Sequence, residues 1–284
     1  GIAGLNWRVG LLPLRVRPHL GDLTPAQVLA VVGATVDAGH YGAAQGMRVA
    51  NFSVAVPPAL LAPESVAAID GLFDALAAAD VFAAAAAGNA GVDVDVHPHL
   101  PGTLAHENIV NTAATDRHDR LAAFSMQHGS NFGAAGVDLR APGLRIWSTL
   151  PTHGPARPYG HSFGTSYAAP HVAGTAALML SRNPDLSAAQ IKAGSRGSLD
   201  PIGGLAVVTV SGGRLNVFGA VASAPVPGRR ASAPELDRVP RSRRPAAPSG
   251  SRARPVPLAA PAPWRSLGSE GRRPRSCKDK TATG

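Results

Sequence analysis

The stretch Tyr159-Gly-His-Ser-Phe-Gly-Thr-Ser-Tyr-Ala-Ala-Pro-His-Val-Ala-Gly174 decides how this chain is read. A glycine-bearing loop runs into a segment of small residues, Ala168, Ala169, Ala173, Gly174, Ala176 and Ala177, that reads as a helix following Ser166. Side chains this small let a helix lie close against a sheet. The N-terminus of such a helix offers unpaired N–H groups and the positive end of the helix dipole. A serine there has an oxyanion donor in its own N–H, beside the simpler use of capping the helix. The pattern is not the G-x-S-x-G elbow, because Ala168 takes the last position.

Working outward, strand and helix patterns alternate. Thr24-Pro25 gives an N-cap followed by proline at the first helical position, and Val28, Leu29, Val31, Val32 and Val36 continue on one broad face. Met47 to Val56 is almost continuously apolar, as expected of a strand covered on both faces. Pro63-Glu64 opens a second helix with Val66, Ile69, Leu72, Phe73 and Leu76 at helical spacing. Val81 to Ala87 reads as a buried strand stopped by Gly88. Leu11 to Val16, Asn108 to Ala113 and Arg145 to Leu150 read as further strands. A last helix starts at Ser187, where Gln190 completes a capping box. This alternation predicts an α/β fold, a doubly wound, mainly parallel sheet with helices on both faces. In such sheets function sits on loops at the carboxyl ends of strands. One such loop is Ala87-Gly88-Asn89-Ala90-Gly91, where an amide donor is flanked by glycines that let the backbone turn sharply.

Composition divides the chain. Of 284 residues 45% are hydrophobic but only 5% aromatic, so the core is built from Ala, Val and Leu. The net charge of +9 belongs to the end of the chain, since residues 221–284 alone carry +10 and 11 of the 26 prolines. That composition cannot bury enough apolar surface to offset its ordering entropy, so residues 223–284 are expected to form a disordered Pro/Arg-rich tail behind a domain over residues 1–222. Arginine alone does not make a nucleic-acid site, and Trp264 is the one aromatic platform interleaved there, so nucleic acid is not the expected partner. No run of about 18 apolar residues predicts a membrane span. The single cysteine, Cys277, excludes a disulfide framework. The opening Gly1-Ile2-Ala3-Gly4 shows no signal peptide.

Together the two loops closely resemble the subtilisin-like serine proteases. Gly164-Thr-Ser-Tyr-Ala-Ala-Pro-His-Val-Ala-Gly174 resembles the nucleophile segment of that family, and Ala86-Ala-Gly-Asn-Ala-Gly91 its oxyanion segment. The resemblance continues, in the family's order, through Gly4 to Val16, Val49-Ala-Asn-Phe-Ser-Val54, Asn108 to Thr115, Leu121 to Ser125, Val137 to Gly143, Ile146 to Thr149 and Gly212 to Val217. It implies a Ser/His/Asp site that cleaves peptide bonds through an acyl-enzyme, with protein or peptide as substrate. By the resemblance Ser166 is the nucleophile, Asn89 and the Ser166 N–H form the oxyanion hole, Ser53-Val54-Ala55 pair with the substrate backbone, and Ala86-Ala87-Gly88 form the facing wall of the specificity pocket. Those walls are small and apolar, which points to a hydrophobic side chain before the scissile bond.

The resemblance also implies what this stretch of sequence does not contain. The family's catalytic Asp and its H-G-T-H-like motif precede the segment matched by Gly1 to Val16, so the chain is expected to be an N-terminally truncated fragment, inactive alone. His171 lies more than a helical turn past Ser166 and is expected to point away. His161 lies five residues upstream. His97, His99 and His106 read as solvent-exposed loop histidines, and no metal is assigned; calcium is allowed by analogy but no site is identified. Ala55 stands where the family has glycine, and Phe163 where it has a small polar residue. An extracellular location follows by analogy alone, and the oligomeric state stays open. The alternative is a non-catalytic pseudoprotease or interaction domain with a basic tail.

Overall fold

The computed structural model describes residues 4–16, 24–149, 158–202 and 208–227. The expected tail beyond Pro227 therefore lies outside the described residues. Six described segments form one sheet face to face with helices: β1 (Val49–Phe52), β2 (Phe82–Ala86), β3 (Ile109–Thr115) and β4 (Leu139–Pro142) run parallel, and two short strands complete the far edge. Counting the hairpin β5 (Ile146–Thr149) and β6 (Tyr159–Ser162), which stands apart as an antiparallel pair, those short strands are β7 (Asp200–Pro201) and β8 (Gly213–Arg214). The sheet order is β1-β2-β3-β4-β8-β7.

Helices cover both faces, and β2 shows why its sequence reads as continuously apolar. Phe82 and Ala84 face one core with Val172, Ala176 and Met179, whereas Ala83 and Ala85 face another with Leu72, Phe73 and Leu76. The period-two alternation thus divides one strand between two cores, and all five of its residues are buried. Helix α1 (Pro25–Ala44) begins with the capping box of Thr24 and Gln27, and α2 (Pro63–Ala78) places Leu72, Phe73 and Leu76 in the core. Burying each of those three side chains stabilises the fold by about 1.5–3 kcal/mol. On the other face α3 (Thr165–Arg182) crosses β1 to β4, its alanines admitting close approach. Helix α4 (Ala188–Gly197) starts at the Ser187–Gln190 capping box, and α5 (Val217–Ser223) buries Ala220. Ala224 is also buried, so the packed body extends past residue 222.

Three expectations are corrected. Leu11 to Val16 is irregular, because Pro13 lacks a ladder donor and no described strand lies beside it. The strand expected over Met47 to Val56 is confined to Val49–Phe52 and only Ala50 is buried there, since among the described residues β1 has a neighbouring strand on one side alone. The strand expected near Arg145 forms, but in the separate hairpin. No helix among the described residues is long and apolar enough to cross a membrane.

Candidate active site

The carboxyl ends of β1 and β2 and the N-terminus of α3 converge, as loops at that edge of a parallel sheet must. Asn89 leaves β2 through Gly88, whose φ of 107° is open only to glycine. A Cβ at Gly88 would collide with Asn131 Nδ2. Asn131, fully buried, holds the loop in this shape. Its Nδ2 donates to the Ala87 carbonyl (2.9 Å), while its Oδ1 accepts from the N–H groups of Ala90 (2.9 Å) and Val92 (3.2 Å).

Thr165 then fixes the Asn89 amide. Its backbone N–H and its hydroxyl both donate to Asn89 Oδ1 (2.9 and 3.0 Å), and the same hydroxyl accepts from the Gly88 N–H (3.0 Å). An atom that accepts from two donors must be the oxygen, so the flip of the amide is determined. Asn89 Nδ2 is left as a donor without a partner among the described residues. It comes within 3.3 Å of where a Cβ on Gly164 would stand, and Gly164, at φ 130°, carries none.

Ser166 lies in the first turn of α3, where backbone N–H groups have no helical acceptor. Pro170 lacks an N–H and cannot pair with the Ser166 carbonyl one turn back. Ser53 Oγ takes that role, donating to the Ser166 carbonyl (2.8 Å), and Ser166 Oγ donates in return to the Ser53 carbonyl (3.1 Å). The chain then passes to Val56, whose N–H and carbonyl both pair with Leu100 (2.9 and 2.8 Å).

A pocket of about 370 Å³ opens between these elements, with Ala55, Ala86, Gly88, Asn89 and Ser166 on its walls. Ala87 is not among them: strand alternation turns its methyl into the core with Val94, Ala113 and Val137, and only its backbone serves the loop. Ser53 and Val54 line a larger cavity of about 1630 Å³, which runs along β1 between α1, α2 and α3 and is walled by apolar side chains such as Leu12, Val32 and Leu72.

Three of the described imidazoles are engaged elsewhere. His171 Nδ1 donates to the Tyr167 carbonyl (2.8 Å), and His161 Nδ1 to the Arg145 carbonyl (3.0 Å) with its ring edge-on to Trp147. His106 meets Asp70 (2.8 Å). His99 departs from expectation: it is 6% exposed and lines the pocket beside Ser166, together with His128. Among the described residues no three His, Cys, Asp or Glu side chains are grouped to hold a metal. Phe163 stacks on Phe124 (5.4 Å between ring centres). Sequence reading missed Thr165, although it abuts Ser166, and missed Asn131, His99 and His128, which only folding brings to the loop.

Residues 1–199 match the Subtilase family, Peptidase S8. Alkaline elastase YaB of Bacillus sp. (strain YaB) is 34% identical over 196 residues, covering 67% of this chain and 46% of that protein. Subtilisin BL of Lederbergia lenta is 33% identical, covering 67% and 64%. Thermitase of Thermoactinomyces vulgaris is 33% identical over 224 residues, covering 78% and 68%. The chain thus spans about half to two thirds of the length of these relatives. Among solved structures, a lanthipeptide protease superposes with a TM-score of 0.56 at 24% identity (67% of this chain, 66% of that one). The subtilase cytotoxin SubAB does so with 0.58 at 22% identity (66% and 64%), and both show a shared fold. A family match over most of the length and a fold of the same kind agree: this chain belongs to the subtilase family.

Proposed function

We propose that this chain carries the nucleophile, oxyanion and substrate-binding side of a serine endopeptidase site. The observation that carries the reading is the clamp of Thr165 on Asn89 Oδ1, which leaves the amide donor free at a pocket that Ser166 also lines. Ser166 Oγ attacks the carbonyl carbon of the scissile bond while a base takes its proton. The Asn89 amide and the Ser166 N–H donate to the oxygen on which charge develops. The amine leaves, and water later frees the acyl group from Ser166. Ser53, Val54 and Ala55 continue from the edge strand and suit pairing with an extended peptide backbone.

Among the described residues Ser166 Oγ is bonded to a carbonyl and no imidazole is bonded to it, which supports a base supplied from elsewhere. In this reading the histidine and its aspartate come from a segment upstream of Gly1. The large apolar cavity beside the edge of β1, which is unpaired among the described residues, supports a further strand and helix there, next to Ser53. The substrate is protein or peptide, and an extracellular setting follows the family. Calcium has no grouped ligands among the described residues, and no step is routed through it. The second reading, a non-catalytic relative, is favoured by the Ser53–Ser166 bonds, which occupy both the hydroxyl and the carbonyl of Ser166.

The test is kinetic, on the chain extended upstream through its Asp and His segments. Ser166→Ala is expected to abolish peptide hydrolysis, a loss of ~10⁶-fold in kcat by the figure known for subtilisin itself. Asn89→Ala is expected to lower kcat by ~10²–10³-fold with KM nearly unchanged, again subtilisin's own magnitude. Hydrolysis that survives Ser166→Ala would overturn the assignment.

A further inference from the structure

Two histidines that the mechanism does not use face the pocket beside Ser166, and their ring nitrogens can be assigned. His99 is more than nine-tenths buried. Its Nδ1 lies 2.8 Å from the His97 carbonyl, which can only accept, so Nδ1 carries the proton. In the neutral ring Nε2 is then a bare acceptor. The neighbouring Cδ2 lies 3.1 Å from where a Cβ on Gly88 would stand, which puts the Cδ2–Nε2 edge of the ring over the pocket wall. Among the described residues Nε2 has no hydrogen-bond partner.

His128 has the opposite polarity. It closes a tight turn in which its carbonyl accepts from the N–H groups of Phe124 (2.8 Å) and Ser125 (3.0 Å). Ser125 Oγ accepts from the N–H groups of Gln127 (3.2 Å) and His128 (3.1 Å), which engages both lone pairs. Its own proton is left for His128 Nδ1, 3.2 Å away. The neutral ring therefore carries its hydrogen on Nε2 and offers a donor.

Apart from these rings, Asn89, Ser166 and Thr165, whose hydroxyl is engaged with Asn89 and Gly88, the pocket is walled by Ala55, Ala86, Gly88 and Ala90, with no lysine or arginine. We infer that the pocket selects a side chain ending in a carboxamide, glutamine foremost, for the residue before the scissile bond. The carboxamide oxygen accepts from His128 Nε2–H, and its NH₂ donates to His99 Nε2. An aliphatic side chain would bury the His99 acceptor unpaired, which lowers affinity roughly 10–100-fold. A carboxylate would face the His99 lone pair with no proton between them. The hydrophobic preference suggested by the small wall residues is thereby replaced. This inference rests on the peptidase reading of the same site.

The experiment uses the chain as it stands and four acetylated tripeptides, Ala-Ala-Xaa with Xaa Gln, Glu, Leu or Phe, which mimic cleavage products. Titrations at neutral pH are followed by the NMR signals of the Asn89 side-chain amide and the histidine Cε1–H groups. The Gln peptide is expected to bind at least about tenfold more tightly than the Leu and Phe peptides. That gap should shrink to within about twofold in both His99→Leu and His128→Ala, the latter on an exposed turn where folding is not at stake. Tighter binding of Leu or Phe would overturn the inference and leave the peptidase reading standing, as would an unchanged gap in His128→Ala. Tighter binding of Glu would overturn the donor–acceptor pairing. If no peptide moves the Asn89 signals, the peptidase reading falls and takes the inference with it.

Discussion

The two walls that flank Ser166 are held by different means. On one side Thr165 and Asn131, both fully buried, hold the Asn89 loop through hydrogen bonds of 2.9–3.2 Å and leave the Asn89 side-chain amide without a partner among the described residues. On the other, Ser53 to Val56 leave an edge strand, tied down by the Ser53–Ser166 pair and the two bonds to Leu100, with a cavity of about 1630 Å³ alongside. In the proposed reading the oxyanion side is thus preorganised by the residues in hand, and needs no rearrangement when charge develops. The substrate-pairing side leans on what fills the cavity. In that reading the site is complete in its electrostatics and incomplete in its substrate-pairing wall and its proton transfer.

The largest effect that sharpens this contrast is in packing. Leu76→Ala, in the closed core behind β2, is expected to cost about 2–5 kcal/mol in urea unfolding. Leu12→Ser, beside the open cavity and 43% exposed, should cost no more than about 0.5 kcal/mol in the chain as it stands. In the upstream-extended protein the same Leu12→Ser should cost over about 1 kcal/mol, because the position is then covered. Equal costs in both proteins would break the account of the open wall.

Thr165→Val comes next. It keeps the backbone donor to Asn89 but strips the hydroxyl, leaving the Gly88 N–H buried without an acceptor, and should destabilise by about 1–3 kcal/mol. The matching change on the open wall, Ser53→Ala, should cost under about 1 kcal/mol, since water can reach the Ser166 carbonyl. A larger loss from Ser53→Ala than from Thr165→Val would reverse the comparison.

How much of this was legible in the sequence depends on whether the signal is local. The capping boxes at Thr24 and Ser187 are written in four residues each and form as read. The two-core strand β2 is legible because alanine tolerates both faces. Strand β4 was not recognised, since Arg140 and Pro142 argue against a buried strand. Yet Arg140 is fully buried, and its Nη2 donates to the Gly212 carbonyl (2.9 Å), just ahead of the neighbouring strand β8. Asn131 is the same case at the site: it lies 42 positions from Asn89, and nothing near it in sequence marks its task. His99 was read as exposed because a polar ring in a Pro-rich loop resembles surface, and only the packing of Gly88 against it says otherwise.

The smallest expected effect concerns pH, away from both walls. Burial pushes the Asp138 carboxyl above its ordinary range, partly offset by Lys192 (3.8 Å), the Asn111 N–H (2.7 Å) and Arg196 (3.5 Å). A carboxyl raised in the folded state holds its proton longer there than in the unfolded chain, so its contribution to stability falls as pH rises from 3.8 through the folded value. The difference in unfolding free energy between wild type and Asp138→Asn should therefore shift against the wild type over that window and be flat above it. A difference that shifts toward the wild type there would mean the ion pairs, not burial, dominate.

The central proposal is that this chain carries a preorganised nucleophile and oxyanion side of a peptidase site and takes its base from a segment outside the given sequence. The most direct measurement compares hydrolysis of a peptide substrate by the 284-residue chain with that of the same chain extended upstream, each with and without Ser166→Ala. The account predicts at most trace turnover from the chain alone and strong, Ser166-dependent turnover from the extended protein. Robust Ser166-dependent hydrolysis by the chain alone would contradict it, since one of its own histidines would then be serving as the base.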